Sequence, residues 1–371
     1  MTPRTLLDRR LRSHRLTSPA ATVTDAARHL LAVQSQDLLA GRWALGVRTR
    51  SSVGRSAPSL AQVDAAFARG ELVRAWTMRG TLHIIPARDL AWVLSVTAGR
   101  QRQQAAGRQR DLGVDDRMLS TASRALRPAL RDGGCTRAEA FALLEGAGID
   151  PRGQRGIHLL FALTLAGEIC QGPIEPNHGG VTRDQRFVLV EDWVQESDVP
   201  ADPLAELFVR YIDGHGPAGV PDFAWWSGHT LGCAREAAER ARGRLVEVED
   251  GLFTAITTPR RSPKAADVIA LPAFDEYYIS YADRTIVCEP DRLAAVGPGK
   301  NGMVRPTLVH RGRVVGTWAH AAATRGTPPD LFGDGPDPDA VASALARFTR
   351  FVDGWSPRGG GAGQVTGVLT Q

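Results

Sequence analysis

The chain has 371 residues, 43% hydrophobic and 23% charged, which exceeds one ordinary core, suits two to four small domains and excludes a disordered or fibrous class. No run of 18 apolar residues occurs, and Met1-Thr2-Pro3-Arg4 opens into alternating Leu and Arg without an apolar leader. Membrane partners are therefore not expected, and a cytoplasmic protein is. The net charge is +5, and lysine occurs only at Lys264 and Lys300, so the positive charge is almost all arginine, the side chain suited to bidentate phosphate contacts.

Residues 1–20 read as an opening helix built on Leu6, Leu7 and Leu11. Thr24 or Asp25 can cap a second helix from Ala26 to Val33, with Ala27, Leu30 and Leu31 as its apolar stripe. Gln34-Ser35-Gln36 follows at its end. Residues i and i+2 of a regular helix point about 200° apart. For both amides to serve one site, the backbone has to leave the helix at this pair. Ser59 starts a helix to Gly70, and Leu72–Trp76 with Gly80–Ile85 read as two strands, the second alternating Thr81 and His83 against Leu82 and Ile84. Leu90 to Asp111 is a long helix. Its Arg- and Gln-rich half, Gly99 to Arg110, is a solvated face or a phosphate contact.

The order of helices followed by a ribbon recurs. Thr121–Leu130, the capping box Thr136-Arg137-Ala138-Glu139 and Ile157–Leu165 precede strands at Glu168–Gln171 and Phe187–Val190. Leu204, Leu207, Phe208, Tyr211 and Ile212 mark a third round, followed by Phe223–Ser227, His229–Arg242 and a hairpin turned at Glu249-Asp250-Gly251. From Val268 the pattern changes to strands: Val268–Leu271, Thr285–Val287, Thr307–Val309 and Val314–Trp318. The expected fold class is α+β. Three tandem winged helix-turn-helix units are followed by a small β-barrel-like subdomain or curled sheet and a C-terminal helix. The boundaries are 1–112, 113–198, 199–262, 263–356 and a tail at 357–371.

Cys135, Cys170, Cys233 and Cys288 form no Cys-x-x-Cys pair, so they read as buried reduced thiols, and neither a metal nor a cofactor is expected. Gly-x-Ser-x-Gly, His-Glu-x-x-His and zinc-deaminase motifs are absent. Asp275 and Glu276 are adjacent and point opposite ways on a strand, so pairing with Arg284 fits them better than a catalytic dyad. Gly297 to Gly302 lacks the phosphate-loop spacing and reads as a basic hairpin, with Lys300, Asn301 and Arg305 able to probe a groove. His83, beside Thr81 and below Arg79, is a structural strand histidine or lines a DNA-facing surface.

Several of these segments together resemble the winged-helix DNA glycosylase family that includes AlkZ and YcaQ. Gln34-Ser35-Gln36 looks like its catalytic Gln-x-Gln motif, and Trp76-Thr77-Met78-Arg79-Gly80-Thr81-Leu82-His83 like its first ribbon. Leu271-Pro272-Ala273-Phe274-Asp275-Glu276-Tyr277 with Tyr281-Ala282-Asp283-Arg284 looks like the start of its β-subdomain. Asn301-Gly302-Met303-Val304-Arg305-Pro306-Thr307 and Gly312-Arg313-Val314-Val315-Gly316-Thr317-Trp318 look like its later hairpins. The middle motif position, often apolar in relatives, is Ser35. Gln36 rather than Asp in the second polar position points to the AlkZ branch.

The resemblance implies a monofunctional DNA glycosylase for cationic N7-alkylguanine, with N3-alkyladenine and interstrand crosslinks as further substrates, and self-resistance to an alkylating antibiotic. Gln34 and Gln36 would be catalytic. Arg79, Thr81, His83, Arg284, Lys300, Asn301 and Arg305 would bind alkylated double-stranded DNA, and the protein would act as a monomer. A cationic base leaves as a neutral one, so no acid is required at the leaving group. Two amides that hold a water and face the positive sugar are then sufficient. The competing expectation is a winged-helix transcription regulator that binds duplex DNA and releases no base.

Overall fold

The computed structural model describes residues 1–50, 58–176, 181–182, 184–256, 266–300, 302–323, 325–333 and 335–353. Asn301 and the expected tail lie outside the described residues.

One order of elements occurs three times. First come the helix Val23–Leu30, the short strand Val33–Gln34, the helices Leu38–Val47 and Leu60–Ala68, and the ribbon Leu72–Met78 with Thr81–Pro86. Then come the helix Asp116–Arg131, a single bridge from Cys135 to Phe187, the helices Arg137–Gly146 and Arg155–Leu165, and the ribbon Ile169–Ile174 with Gln185–Leu189. The third round has the helix Pro203–His215, the short strand Ala218–Gly219, the helices Val220–Ser227 and Leu231–Arg240, and the ribbon Leu245–Glu247 with Leu252–Ala255. In each round the short extended piece after the first helix pairs with the ribbon.

The rounds are not isolated. The first two ribbons merge into one five-stranded sheet in the order 33–34, 81–86, 72–78, 169–174, 185–189, joined where Arg74 pairs with Gln171. Leu90–Asp111, the expected long helix, follows the first ribbon.

The C-terminal strands form an open antiparallel sheet in the order 330–331, 313–317, 307–310, 268–271. This corrects the barrel-like expectation: four strands with two free ends do not close. The expected strand Thr285–Val287 does not form. Asp283 Oδ1 accepts from the Thr285 N–H at 2.8 Å and Val287 N–H donates to the Arg284 carbonyl, which bends the chain into a turn. The helix Pro338–Asp353 packs against this sheet and against Leu38–Val47, with Phe348 and Phe351 on the Trp43 ring at 5.5 and 5.0 Å.

Two boundaries also moved. The second helix is capped by Thr22, not Thr24 or Asp25, and it ends at Leu30 rather than Val33. The helix Leu38–Val47 has no counterpart among the expected elements. All ten of its residues are buried, so no amphipathic stripe marks it.

Two apolar cores result. One gathers the second and third rounds with the long helix Leu90–Asp111 and, from the first ribbon, Val73, Ala75, Trp76, Met78 and Ile85. The other gathers the helices of the first round with the C-terminal sheet. Leu30 and Val33 belong to the second core and Leu31 and Ala32 to the first, so the chain crosses between them just before Gln34. Seams of this kind are where binding sites concentrate. No described helix is long and apolar enough to cross a membrane.

Candidate active site

Leu31 takes φ +65°, in the left-handed region that non-glycine residues rarely adopt, and this stops the helix Val23–Leu30. The chain then extends. Val33 pairs with Ile84, Gln34 with His83, and the Ser35 N–H donates to the Leu82 carbonyl at 2.7 Å. Asp37 Oδ1 accepts from the Ala40 N–H at 3.0 Å and caps the next helix. The backbone therefore leaves the helix before the glutamine pair, as two amides serving one site require. Ser35 turns its side chain toward Gly41, Gln34 Oε1 meets Arg79, and Gln36 Oε1 accepts from the Leu82 N–H. Gln34 is 7% exposed, and Gln36 is exposed.

Ser35 lies against Gly41, where an added Cβ would stand 2.4 Å from Ser35 Oγ. The helix Leu38–Val47 can approach only because this position is glycine. From the other side Arg74 donates from Nε and Nη2 to the Ser35 carbonyl at 2.8 and 2.6 Å, and from Nη1 to Gln171 Oε1 at 2.6 Å. Burial lowers the Arg74 pKa to about 10, which leaves it charged at neutral pH.

Gln34 itself is gripped twice. Its backbone N–H donates to Glu276 Oε1 at 2.7 Å, and its side-chain oxygen accepts from Arg79 Nη2 at 2.7 Å. Trp226 joins the two holders: its indole N–H donates to Glu276 Oε2 at 3.1 Å, and its carbonyl accepts from Arg79 Nη1. Glu276 is fully buried. Burial alone would raise its pKa, but His215 at 3.7 Å, with Arg79, outweighs that and holds it below the ordinary carboxylate range. Neighbouring Asp275 turns away to a buried bidentate pair with Arg48, at 2.7 and 2.8 Å. This corrects the expected pairing with Arg284.

Arg79 and Gly80 sit at the tip of the first ribbon with φ +53° and +67°, the signature of a two-residue hairpin turn that favours Asn and Gly. An arginine there costs about 1–3 kcal/mol of backbone strain. Its guanidinium is spent inside the protein on Gln34 and Trp226.

His83 has no exposed surface, which corrects its expected place on a DNA-facing surface. Its Nδ1 lies 3.0 Å from the Thr77 hydroxyl and 3.2 Å from the Thr81 carbonyl. Nε2 faces no hydrogen-bond partner among the described residues. Burial lowers its pKa to about 3, so the ring is neutral. Thr81 is half-buried and donates to the Met78 carbonyl at 3.1 Å.

Arg284 places its guanidinium 4.9 Å from the Trp225 ring and 5.5 Å from the Tyr278 ring. Lys300 and Arg305 are exposed on a tight hairpin closed by Gly299 N–H to the Met303 carbonyl at 3.0 Å and by Arg305 N–H to the Val296 carbonyl at 2.9 Å. Tyr278 OH donates to the Gly297 carbonyl at 2.7 Å and ties this hairpin to the ring beneath Arg284.

Arg74, Trp226 and Glu276 escaped the sequence reading. Arg74 had a signal, since it is the one charge inside the otherwise uncharged run Leu72 to Met78. Nothing local marks Glu276 or Trp226 as neighbours of Gln34. No described cluster of three or more His, Cys, Asp or Glu side chains could hold a metal. Cys135, Cys170 and Cys288 are buried, Cys233 is half-buried, and all four are free.

The family described as DNA glycosylase AlkZ-like matches residues 27–351. The interstrand DNA cross-link repair glycosylase of Streptomyces sahachiroi is 24% identical over 322 residues, covering 81% of this chain and 82% of its own. The solved structure of Streptomyces sahachiroi DNA glycosylase AlkZ superposes with a TM-score of 0.73 at 21% identity, covering 95% of this chain and 97% of that one. A match of this extent, with the extended Gln34-Ser35-Gln36 segment inside it, places the chain in the AlkZ-like DNA glycosylase family.

Proposed function

We propose that the protein is a monofunctional glycosylase that hydrolyses the N-glycosidic bond of cationic N7-alkylguanine in double-stranded DNA. N3-alkyladenine and interstrand crosslinks extend its range, and self-resistance to an alkylating antibiotic is its physiological setting. The observation that carries this reading is the pair of neutral amides, Gln34 and Gln36, two residues apart where the chain has left the helix between two cores.

Arg79 uses one lone pair of Gln34 Oε1, and the Leu82 N–H uses one of Gln36 Oε1 at 3.2 Å. Each carbonyl keeps a second lone pair for a water. A water held by both is oriented toward the anomeric carbon, and the same oxygens face the positive charge that grows on the sugar. This is orientation and electrostatic preorganisation. It needs no proton donor at the leaving group, in contrast to sugar hydrolases with two carboxylates. An undamaged base is a poor leaving group and survives.

We read the three recurring element sets as winged helices that grip the duplex, with Thr81, Arg284, Lys300 and Arg305 toward the phosphates and the protein acting as a monomer in the nucleoid. His83 and Arg79 support Gln34 from within the protein. The test is 7-methylguanine duplex DNA incubated with the protein and then treated with alkali. Strand cleavage by the wild type, and a loss of roughly 100-fold or more in Gln34→Ala/Gln36→Ala, is expected on the scale of removing a preorganised group from an active site. Duplex binding without cleavage would leave a DNA-binding protein and end the proposal.

A further inference from the structure

Gln34, Glu276, Trp226 and Arg79 form a closed ring of hydrogen bonds drawn from four separate segments. We propose that Arg79 and Glu276, tied together through Trp226, are positioning residues that fix the backbone and the oxygen-to-nitrogen sense of the Gln34 amide for the reaction. The inference rests on the glycosylase reading of Gln34 given above.

The sense of the amide is the first argument. A glutamine can be turned over with almost no change of shape, which exchanges an acceptor for two donors. Arginine only donates. With Nη2 2.7 Å away, the oxygen rather than the NH2 group of Gln34 has to stand beside Arg79, and its second lone pair is left for the water. The guanidinium reaches Gln34 and the Trp226 carbonyl with two prongs, so it is held flat and cannot follow a turned amide.

Glu276 supplies the second argument. Its two oxygens accept from three donors: the Gln34 N–H at 2.7 Å, the Trp226 indole N–H at 3.1 Å and the Ser280 hydroxyl at 2.5 Å. A carboxylate satisfies all three. A carboxamide of the same shape has to turn its NH2 against at least one.

Backbone strain gives an independent observation. Six non-glycine described residues have positive φ, and three of them belong to this ring or its approach. Leu31 lies three residues before Gln34, Phe274 two before Glu276, and Arg79 is a member. Strain of this kind persists where surrounding structure over-determines it, and it gathers at functional sites. Gly228 adds a fourth constraint, since a Cβ there would stand 3.2 Å from Arg79 Cγ. The arm of Arg79 is seated against a position with little room for a side chain.

Arg79→Asn is the decisive variant, because Asn suits the left-handed turn and cannot reach Gln34. The full chain carrying it, with Glu276→Gln, Trp226→Phe and Arg79→Lys beside it, is measured in three ways. These are thermal melting, the side-chain amide resonance of Gln34 in a ¹⁵N spectrum, and single-turnover release of 7-methylguanine with duplex affinity measured separately. Arg79→Asn should melt at or above the wild-type temperature and shift the Gln34 amide resonance. Its release should slow at least tenfold, with DNA affinity within twofold of wild type. Arg79→Lys, with one prong, should recover part of the rate. Wild-type release by Arg79→Asn, or an unmoved Gln34 resonance, overturns the proposal. So does a rate that merely follows melting temperature across the four variants. If the wild type itself releases no base, the glycosylase reading fails, and the resonance alone then decides whether Arg79 orients Gln34.

Discussion

The short strands Val33–Gln34 and Ala218–Gly219 occupy the same place in the first and third rounds, yet they are built differently. Both end on a residue whose N–H donates to a carboxylate. For Gly219 that is Asp222 Oδ2 at 3.1 Å, three residues ahead in the same helix start. For Gln34 it is Glu276, 242 positions away. The third-round strand is closed by local chemistry and carries no functional side chain. The first-round strand carries an amide and is closed by a ring of distant residues under backbone strain. One scaffold position thus recurs in both rounds, and a carboxylate from a distant segment grips only one of them.

The comparison breaks most severely at Asp275→Ala. This removes one partner of the buried pair that anchors the Glu276 turn to Arg48 and leaves a guanidinium buried without its counter-charge. A loss of about 3–5 kcal/mol is expected in urea denaturation, because an uncompensated buried charge is that costly. A loss under 1 kcal/mol would mean the anchor is dispensable.

Gly41→Ala comes next. Its Cβ would meet Ser35 Oγ at 2.4 Å, so either the helix Leu38–Val47 or the Gln-Ser-Gln segment must shift. Overpacking of this kind costs about 1–3 kcal/mol. Base release should slow together with the loss of stability, which single-turnover assays and urea melts on the same preparation would show.

Acid affects the first round through its histidines. Burial lowers His83 to about 3 and His29 to about 4, so the folded protein keeps both neutral while the unfolded chain titrates near 6.5. The unfolded state binds more protons below that value, and stability falls as pH drops from about 6.5 toward 4. Glu276 is depressed instead, so its contribution is lost only below the ordinary glutamate value of about 4.5. The range from pH 5 to 6.5 therefore reports the histidines. At pH 5.5 each is expected to cost about 1.4 kcal/mol, and His83→Phe should flatten the slope of stability against pH by one histidine's share.

The smallest effect is the control. Gly219→Ala places a Cβ 3.4 Å from Pro221 Cδ and 3.5 Å from the Gly251 carbonyl, ordinary contacts at φ −107°. A change within about 0.5 kcal/mol and an unchanged release rate are expected. A large effect here would erase the distinction between the two strands.

The sequence by itself determined what depends on near neighbours. Helical stripes, capping boxes such as Thr136 to Glu139, ribbon alternation and the motif at Gln34 to Gln36 all act over a few residues and leave a period or a spacing to read. It also set a demand, met in the structure, that the helix break before the glutamines. It did not reveal Leu38–Val47, because a helix buried all round has no polar face to set its period. Nor did it show that four C-terminal strands stay open, that Arg79 points inward to Gln34, or that Glu276 and Trp226 complete the grip. Those facts come from hydrogen bonds between segments tens to hundreds of residues apart. Such bonds leave no local pattern, and they exist only once the two cores have packed with Gln34 at the seam between them.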